Sequence, residues 1–121
     1  MLARRLTPIL NVSDIQQSFA WFEKLGWKKG WDWGTPPDFG GVYSGECEIF
    51  LCVDDQGGRG DSGSWMSIWV DDVDAIHRHC VEQGLEITWP PTNEPWGVRE
   101  MHVRHPDGHI FRISQSSEGE D

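Results

Sequence analysis

The stretch SWMSIWV, Ser64–Val70, decides the fold, because two aspartates and a helical pattern ending at Gly84 follow it. The first half of the chain has the same order: LTPILNV, Leu6–Val12, precedes a helical pattern that ends at Gly26. The matched positions of the two halves are Val12 with Val70, Asp14 with Asp72, Ile15 with Val73, Phe22 with Cys80 and Gly26 with Gly84. This internal repeat indicates two copies of one supersecondary unit.

Each helical pattern has its own start signal, and strand-like runs follow it. Ser13 with Gln16 forms a capping-box pattern, and either Asp71 or Asp72 is placed to cap the second helix. Turn residues such as Pro90-Pro91 separate the strand-like runs. These runs are WKKGWDW, FGGVYSG and CEIFLCV in the first half, and LEITW, VREMHVR and HIFRIS in the second. Each half is therefore predicted to be β-α-β-β-β.

The predicted fold class is α+β, with two tandem βαβββ modules forming a cupped mixed sheet. We expect a single domain over residues 1–121. Its first module covers 1–53, a Gly/Asp/Ser-rich linker covers 54–64, the second module covers 65–115, and 116–121 form an acidic tail.

The composition restricts the classes of partner. The 121 residues include 8 Trp, and 20 Asp+Glu against 10 Lys+Arg give a formal net charge of −10. This charge argues against nucleic acid or an anionic membrane surface as partner, and it leaves cationic ligands open. No apolar run approaches the ~20 residues that span a bilayer. Without a secretory signal pattern or a C-x-x-C spacing, a reduced cytoplasmic protein is expected.

Strand alternation places aromatic side chains on the sheet faces that point away from the helices. Met66, Ile68 and Val70 are predicted to pack under the helix, which leaves Trp65 and Trp69 together on the opposite face. Phe50 of the fourth strand and Arg112 of the last strand are also predicted on faces that point away from the helices. Two interpretations stay open: a second small core or subunit interface, and an aromatic ligand cleft.

Three segments resemble one known superfamily. They are Val12–Trp27, with F-x-K-L-G-W at its end, Ser67–Asp74, and Glu94–Phe111, which contains P-W-G-V-R-E and H-P-D-G-H. Together they are similar to the glyoxalase/bleomycin resistance/dioxygenase superfamily, also called vicinal oxygen chelate. The resemblance covers essentially the whole chain and implies the paired β-α-β-β-β modules.

Enzymes of that superfamily hold a divalent metal in the cupped sheet, and the resemblance places Thr7, Phe50, Trp65 and Arg112 at the ligand positions. Divalent metals prefer His nitrogen, carboxylate oxygen or thiolate, so none of the four is a usual ligand. His102 and His105 are three apart on a strand, so they point to opposite faces and are not expected to share an ion; the five histidines are expected at the surface or in turns. We therefore predict no metal, no cofactor and no catalytic residue, and the chain is not expected to be an enzyme.

The chain is most similar to the bleomycin-resistance binding proteins of this superfamily. That resemblance implies a homodimer with ligand clefts between subunits, which sequesters a small molecule without modifying it. The predicted ligand is planar, aromatic and cationic, because indole faces stack flat rings and carboxylates attract positive charge. The candidate ligand-binding residues are Trp31, Trp33, Phe39, Phe50, Trp65, Trp69, Trp96 and Arg112, with Asp32, Asp38, Glu94 and Glu100 as acidic rim groups. Trp21 and Trp27 are predicted to be structural.

Three functions compete, in the following order. The first is this non-catalytic binder of a bleomycin-type compound. The second is an interaction module whose aromatic faces are buried by dimerisation. The third is a metal-dependent lyase, isomerase or dioxygenase of the same superfamily.

Overall fold

The computed structural model describes residues 1–116. Its helices and strands follow the predicted order in both halves. The elements are β1 (Ile9–Val12), α1 (Ile15–Leu25), β2 (Lys28–Trp33), β3 (Phe39–Ser44), β4 (Cys47–Val53), a 3-10 turn (Gly60–Ser62), β5 (Trp65–Trp69), α2 (Val73–Gln83), β6 (Glu86–Glu94), β7 (Val98–Arg104) and β8 (Ile110–Ser116).

The strands form two four-stranded mixed sheets, one for each module. The first sheet has the order β1-β4-β3-β2, and the second has the order β5-β8-β7-β6. In both, the module's first strand runs parallel to its last one, and the remaining neighbours are antiparallel. The predicted α+β fold of two βαβββ modules is confirmed, and each module closes its own sheet.

Both helices begin in the same way, with an aspartate as the N-cap. Asp14 and Asp72 are the N-caps, and their carboxylates accept backbone N–H groups at 3.1 Å from Gln17 and Ala75. The prediction of Ser13 as the first cap is therefore wrong. The backbone N–H of Ser13 instead donates to Asp107, 3.0 Å away, so Ser13 is engaged by the second module.

One hydrophobic core joins the two modules, because both helices and the inner faces of both sheets contribute to it. Trp21 on α1 stacks on Phe111 of β8, with ring centroids 5.6 Å apart. Trp21 and Trp27 are both buried, as predicted for structural indoles. Burial of such large rings from opposite halves holds the modules together as one unit.

The predicted turn at Pro90-Pro91 is wrong, because β6 continues through both prolines. The register of β6 against β7 shifts between Trp89 and Thr92, where the prolines lie. β6 is an edge strand, so the missing proline N–H groups break no second ladder.

The histidines of the β7–β8 turn are buried rather than at the surface. Within the turn, His105 Nδ1 accepts the N–H of Asp107, so its Nε2 donates to Ser18 Oγ of α1 at 3.1 Å. Similarly, His109 Nδ1 accepts the N–H of Ser64, and its Nε2 donates to the Asn11 carbonyl at 2.7 Å. This turn thereby ties β8 to α1, β1 and the inter-module segment.

The segment between the modules packs against the second module through the N–H of Gly60, which donates to the Asp107 carbonyl at 2.7 Å. Of the predicted acidic tail, Ser116 ends β8, and residues 117–121 lie outside the described residues. Over residues 1–116, neither helix is long and apolar enough to cross a membrane.

Candidate ligand-binding site

The outer face of the second sheet, the face turned away from the helices, carries a cavity of about 540 Å³. Trp65 enters it from β5, and His102 and Arg112 are register partners on β7 and β8. The cavity is lined by Trp65, Trp89, Glu94, Trp96, Glu100, His102 and Arg112. It brings the predicted residues Trp65, Trp96, Glu94, Glu100 and Arg112 together.

Glu100 forms the polar floor of this cavity and is only 3% exposed. Its Oε1 accepts from Arg112 Nε at 2.9 Å and lies 2.8 Å from Arg112 Nη2, and its Oε2 accepts from His102 Nε2 at 2.8 Å. Burial opposes ionisation of Glu100, but hydrogen bonds from Arg112, His102 and Trp96 together outweigh it and lower the pKa of this carboxyl. Glu100 is thus a buried, paired carboxylate and not the rim group expected from the sequence.

Two carboxylates fix two of the cavity's indoles by their N–H edges. Trp96 Nε1 donates to Glu100 Oε1 at 3.3 Å, and Trp89 Nε1 donates to Glu94 Oε2 at 3.0 Å. Trp96 lies in the tight turn between β6 and β7, which the bond from Gly97 N–H to the Glu94 carbonyl closes. Because their edges are held, the ring orientations are set before any ligand arrives.

The three indoles of the cavity remain open to solvent. Trp65, Trp96 and Trp89 are 68%, 60% and 43% exposed. The imidazole of His102 lies between two of them, with its centroid 6.3 Å from Trp65 and 6.1 Å from Trp89. The Arg112 guanidinium carbon lies 6.0 Å from the Trp96 ring centroid. The site offers π-faces above a guanidinium–carboxylate floor, which suits a flat aromatic guest.

The outer face of the first sheet carries a second aromatic group, formed by Trp31, Phe39 and Phe50. Their centroids are 5.1 to 5.7 Å apart in edge-to-face geometry. Trp31 Nε1 donates to Glu48 at 3.3 Å, and the ring lies on Gly41, where a Cβ would collide with Nε1. These rings pack mainly on one another and form a half-buried apolar surface.

The remaining predicted residues lie away from the second-sheet cavity. Asp32 is paired with Lys29. Trp33 is the last residue of β2, and Asp38 lies in the loop that follows, where its N–H donates to the Trp33 carbonyl. Trp69 shares a face with Trp65 by alternation, yet it lines two grooves of about 430 and 490 Å³ near the module junction. Within one chain, the single aromatic cleft expected from the sequence is therefore split over two sheets and a junction groove.

Two cavity residues, Trp89 and His102, were missed by the sequence analysis. Strand alternation already places His102 on the face of Glu100, since they are two residues apart on β7. Trp89 was missed because a turn was expected at Pro90-Pro91. Trp89 would then be the last residue of its strand, and alternation would not assign its side chain to a face of the sheet. The irregular register of β6 brings Trp89 opposite His102.

The arginine of the P-W-G-V-R-E segment is structural. Arg99 Nε and Nη2 form a bidentate pair with Asp74 of α2 at 3.0 and 2.9 Å. The Arg99 hydrogen bond is the main cause of the lowered pKa of Asp74. This pair fastens the start of α2 to β7 and leaves Arg99 out of the cavity lining.

Three of the four positions of the superfamily's metal do not fit a divalent ion here, and the fourth, Thr7, lies before β1 and lines the junction groove of about 490 Å³. Phe50 lies on the first sheet, and Trp65 and Arg112 lie on the second, where Arg112 supplies a permanent positive charge. A guanidinium, an indole and a phenyl ring offer no ligand lone pair. Among residues 1–116, no group of three or more His, Cys, Asp or Glu side chains is arranged to hold a metal.

Comparison with solved structures identifies the fold. A bleomycin-binding protein complexed with bleomycin superposes with a TM-score of 0.78 at 20% identity, covering 94% of this chain and 99% of that one. The bleomycin resistance determinant encoded on the transposon Tn5 gives 0.80 at 20% identity, with 94% and 98% coverage. TioX from Micromonospora sp. ML1 gives 0.81 at 18% identity, with 94% and 99% coverage. These similarities concern the fold alone.

Sequence comparison supplies the family. No curated protein is significantly similar to this chain. The model of the Glyoxalase/Bleomycin resistance protein/Dioxygenase superfamily matches residues 5–113, which include the first module, the segment between the modules and all of the second module except the last three residues of β8. The chain therefore belongs to the glyoxalase/bleomycin resistance protein/dioxygenase superfamily.

Proposed function

We propose that this protein binds and sequesters a planar aromatic compound of the bleomycin type, without modifying it. The observation that carries the proposal is the set of three exposed indoles around the 540 Å³ cavity. Exposed tryptophans are costly unless a ligand or partner covers them, and here carboxylates orient two of them. An aromatic guest between such faces gains burial and stacking energy with little loss of side-chain entropy.

Sequestration without chemistry agrees with the state of the acidic group in the cavity. Glu100 already accepts three hydrogen bonds, and its lowered pKa makes it a poor proton acceptor. The structure resembles that of a bleomycin-binding protein, which is consistent with a related ligand.

We propose further that the protein acts as a homodimer in which a second copy completes the cleft. In each sheet the module's first strand, β1 or β5, is an edge strand. Trp69 on β5 is 63% exposed between two apolar grooves. The aromatic group Trp31, Phe39 and Phe50 of one subunit would then face the cavity of the other. Sedimentation equilibrium tests this, with a dimer expected for the native chain and a monomer for Trp69→Glu.

Bleomycin titration of the intrinsic tryptophan fluorescence tests the binding function. We expect saturable quenching, and the variant Trp65→Leu should weaken binding by roughly tenfold because it removes one stacking face. Val81→Ala is the control: Val81 on α2 is 56% exposed and lines neither the cavity nor the two grooves, so binding should change by less than about twofold. A flat titration of the native chain would contradict the proposal.

The interaction module is the second candidate, and the exposed Trp69 is the observation that favours it. In that case dimerisation itself would cover the indoles of the cavity. Acrylamide quenching of the dimer separates the two: accessible cavity indoles agree with a ligand site, whereas protected ones agree with a self-association surface.

A further inference from the structure

The buried carboxylate of the cavity is occupied by the protein's own donors. Glu100 holds Trp96, His102 and Arg112, whereas Glu94 accepts one bond, from the Trp89 indole, through one of its two oxygens. A ligand group that reaches the cavity floor therefore meets the Arg112–Glu100 pair and not a free carboxylate. This narrows the expectation, drawn from net charge, that acidic residues of the site receive a cation: at the floor they do not.

The guanidinium of Arg112, in contrast, has N–H donors that Glu100 does not use. Its Nε and Nη2 are used by Glu100, and Nη1 has no hydrogen-bond partner within residues 1–116. The side chain is 24% exposed and lines the cavity. A guanidinium held rigidly by a buried carboxylate is well suited to bind a planar acceptor, because its geometry is fixed in advance.

We propose that the ring of the ligand carries an acceptor group, a carbonyl or a carboxylate, which Arg112 Nη1 binds at the floor of the cavity. This inference rests on the proposed function, and it adds an orientation: the acceptor end of the ligand enters first. Any cationic part of the ligand then lies outside, towards the protein's net negative surface. At physiological salt the Debye length is ~8 Å, so the carboxylates outside the cavity act only weakly on a group bound at its floor.

Three flat probes that share one ring system test this orientation. They are naphthalene-2-carboxylate, the neutral naphthalene-2-carboxamide and the cationic 2-naphthylmethylammonium. Binding is followed by NMR titration of the indole N–H signals of Trp65, Trp89 and Trp96 in about 0.15 M salt. We expect the carboxylate to bind about tenfold tighter than the amide, because it forms a charge-assisted hydrogen bond, and the ammonium to bind most weakly.

Variants assign the preference to Arg112. The double variant Arg112→Gln/Glu100→Gln removes both charges of the pair and leaves no buried charge unpaired. It should lose about tenfold in affinity for the carboxylate but less than about threefold for the amide. Arg104→Gln is the control: it removes one positive charge from a residue that pairs with Glu86 outside the cavity, and the order of the probes should not change.

Each outcome decides between the two proposals. If the amide binds but the carboxylate is no tighter, or if the double variant keeps the preference, the acceptor inference is overturned and the aromatic site survives. If none of the three probes shifts the signals of the cavity indoles, the proposed aromatic binding itself is contradicted, and the inference falls with it.

Discussion

Arg112 Nη2 lies 2.8 Å from Glu100 Oε1, and this ion pair crosses from β8 to β7 at the floor of the cavity. The pair places a permanent cation at a position where the resemblance to the superfamily had implied a metal ligand. The pair has two consequences. It holds Trp96 and His102 in place through Glu100, and it makes the floor of the cavity a hydrogen-bond donor.

Removing one member of this pair should destabilise the protein. Glu100→Ala leaves the partly buried guanidinium of Arg112 without its partner, and we expect a loss of about 3 kcal/mol in the free energy of unfolding. Urea denaturation measures it. Glu86→Ala is the control, since Glu86 pairs with Arg104 at 3.7 Å on an exposed surface and should change stability by less than about 0.5 kcal/mol. Equal effects of the two substitutions would show that the floor pair is not structural.

The stability should also depend on pH through His105. Burial, and secondarily the neighbouring His109, lowers the pKa of His105 from 6.5 to about 4. As the pH falls, the unfolded chain therefore binds this proton before the native one does. The free energy of unfolding should decrease between pH 6.5 and 4, by up to about 3 kcal/mol from this residue.

The variant His105→Gln isolates that contribution. A glutamine retains a donor for Ser18 Oγ but has no proton to gain, so the slope of stability against pH above 4.5 should flatten. The carboxyl groups of Glu100 and Asp107, whose pKa values are lowered, lose their contribution only at lower pH. An unchanged slope in the variant would assign the pH dependence to other groups.

A methyl group on Gly41 should disrupt the aromatic group of the first sheet. Gly41→Ala would place its Cβ on the Trp31 indole, so the ring must leave Phe39 and Phe50, and we expect a cost of about 1–3 kcal/mol. Near-ultraviolet circular dichroism should report the lost packing of Trp31. Gly30→Ala is the matched control, because the nearest atom to its Cβ would be Tyr43 Cδ1 at 3.4 Å, an ordinary contact. If both variants keep the native spectrum, Trp31 is not held as described.

The fold was predictable because local signals and the repeat agree. The capping aspartate Asp72, the stop glycines Gly26 and Gly84, and the alternation of the strands lead to the same topology. The cap of α1 was misassigned because Ser13 and Asp14 are adjacent candidates. Only the contact of Ser13 with Asp107, a residue far along the chain, decides between them.

The site was predictable only in part, because its geometry depends on contacts between strands. Alternation places Trp65 and Trp69 on one face, but it does not predict which side chains of the neighbouring strands lie next to each indole. The cavity forms beside Trp65 because the irregular register of β6 against β7 brings Trp89 opposite His102. Likewise, the position of Glu100 on an outer face does not reveal that Arg112 and Trp96 cover it.

Equilibrium dialysis of metal-free bleomycin against the purified protein, followed by mass spectrometry of the recovered compound, tests the central claim most directly. We expect retention with a dissociation constant of about 1 µM or tighter, a roughly tenfold weaker affinity in Trp65→Leu, and recovery of the compound at unchanged mass. Equal concentrations in both compartments, or recovery of a compound with altered mass, would contradict binding without modification.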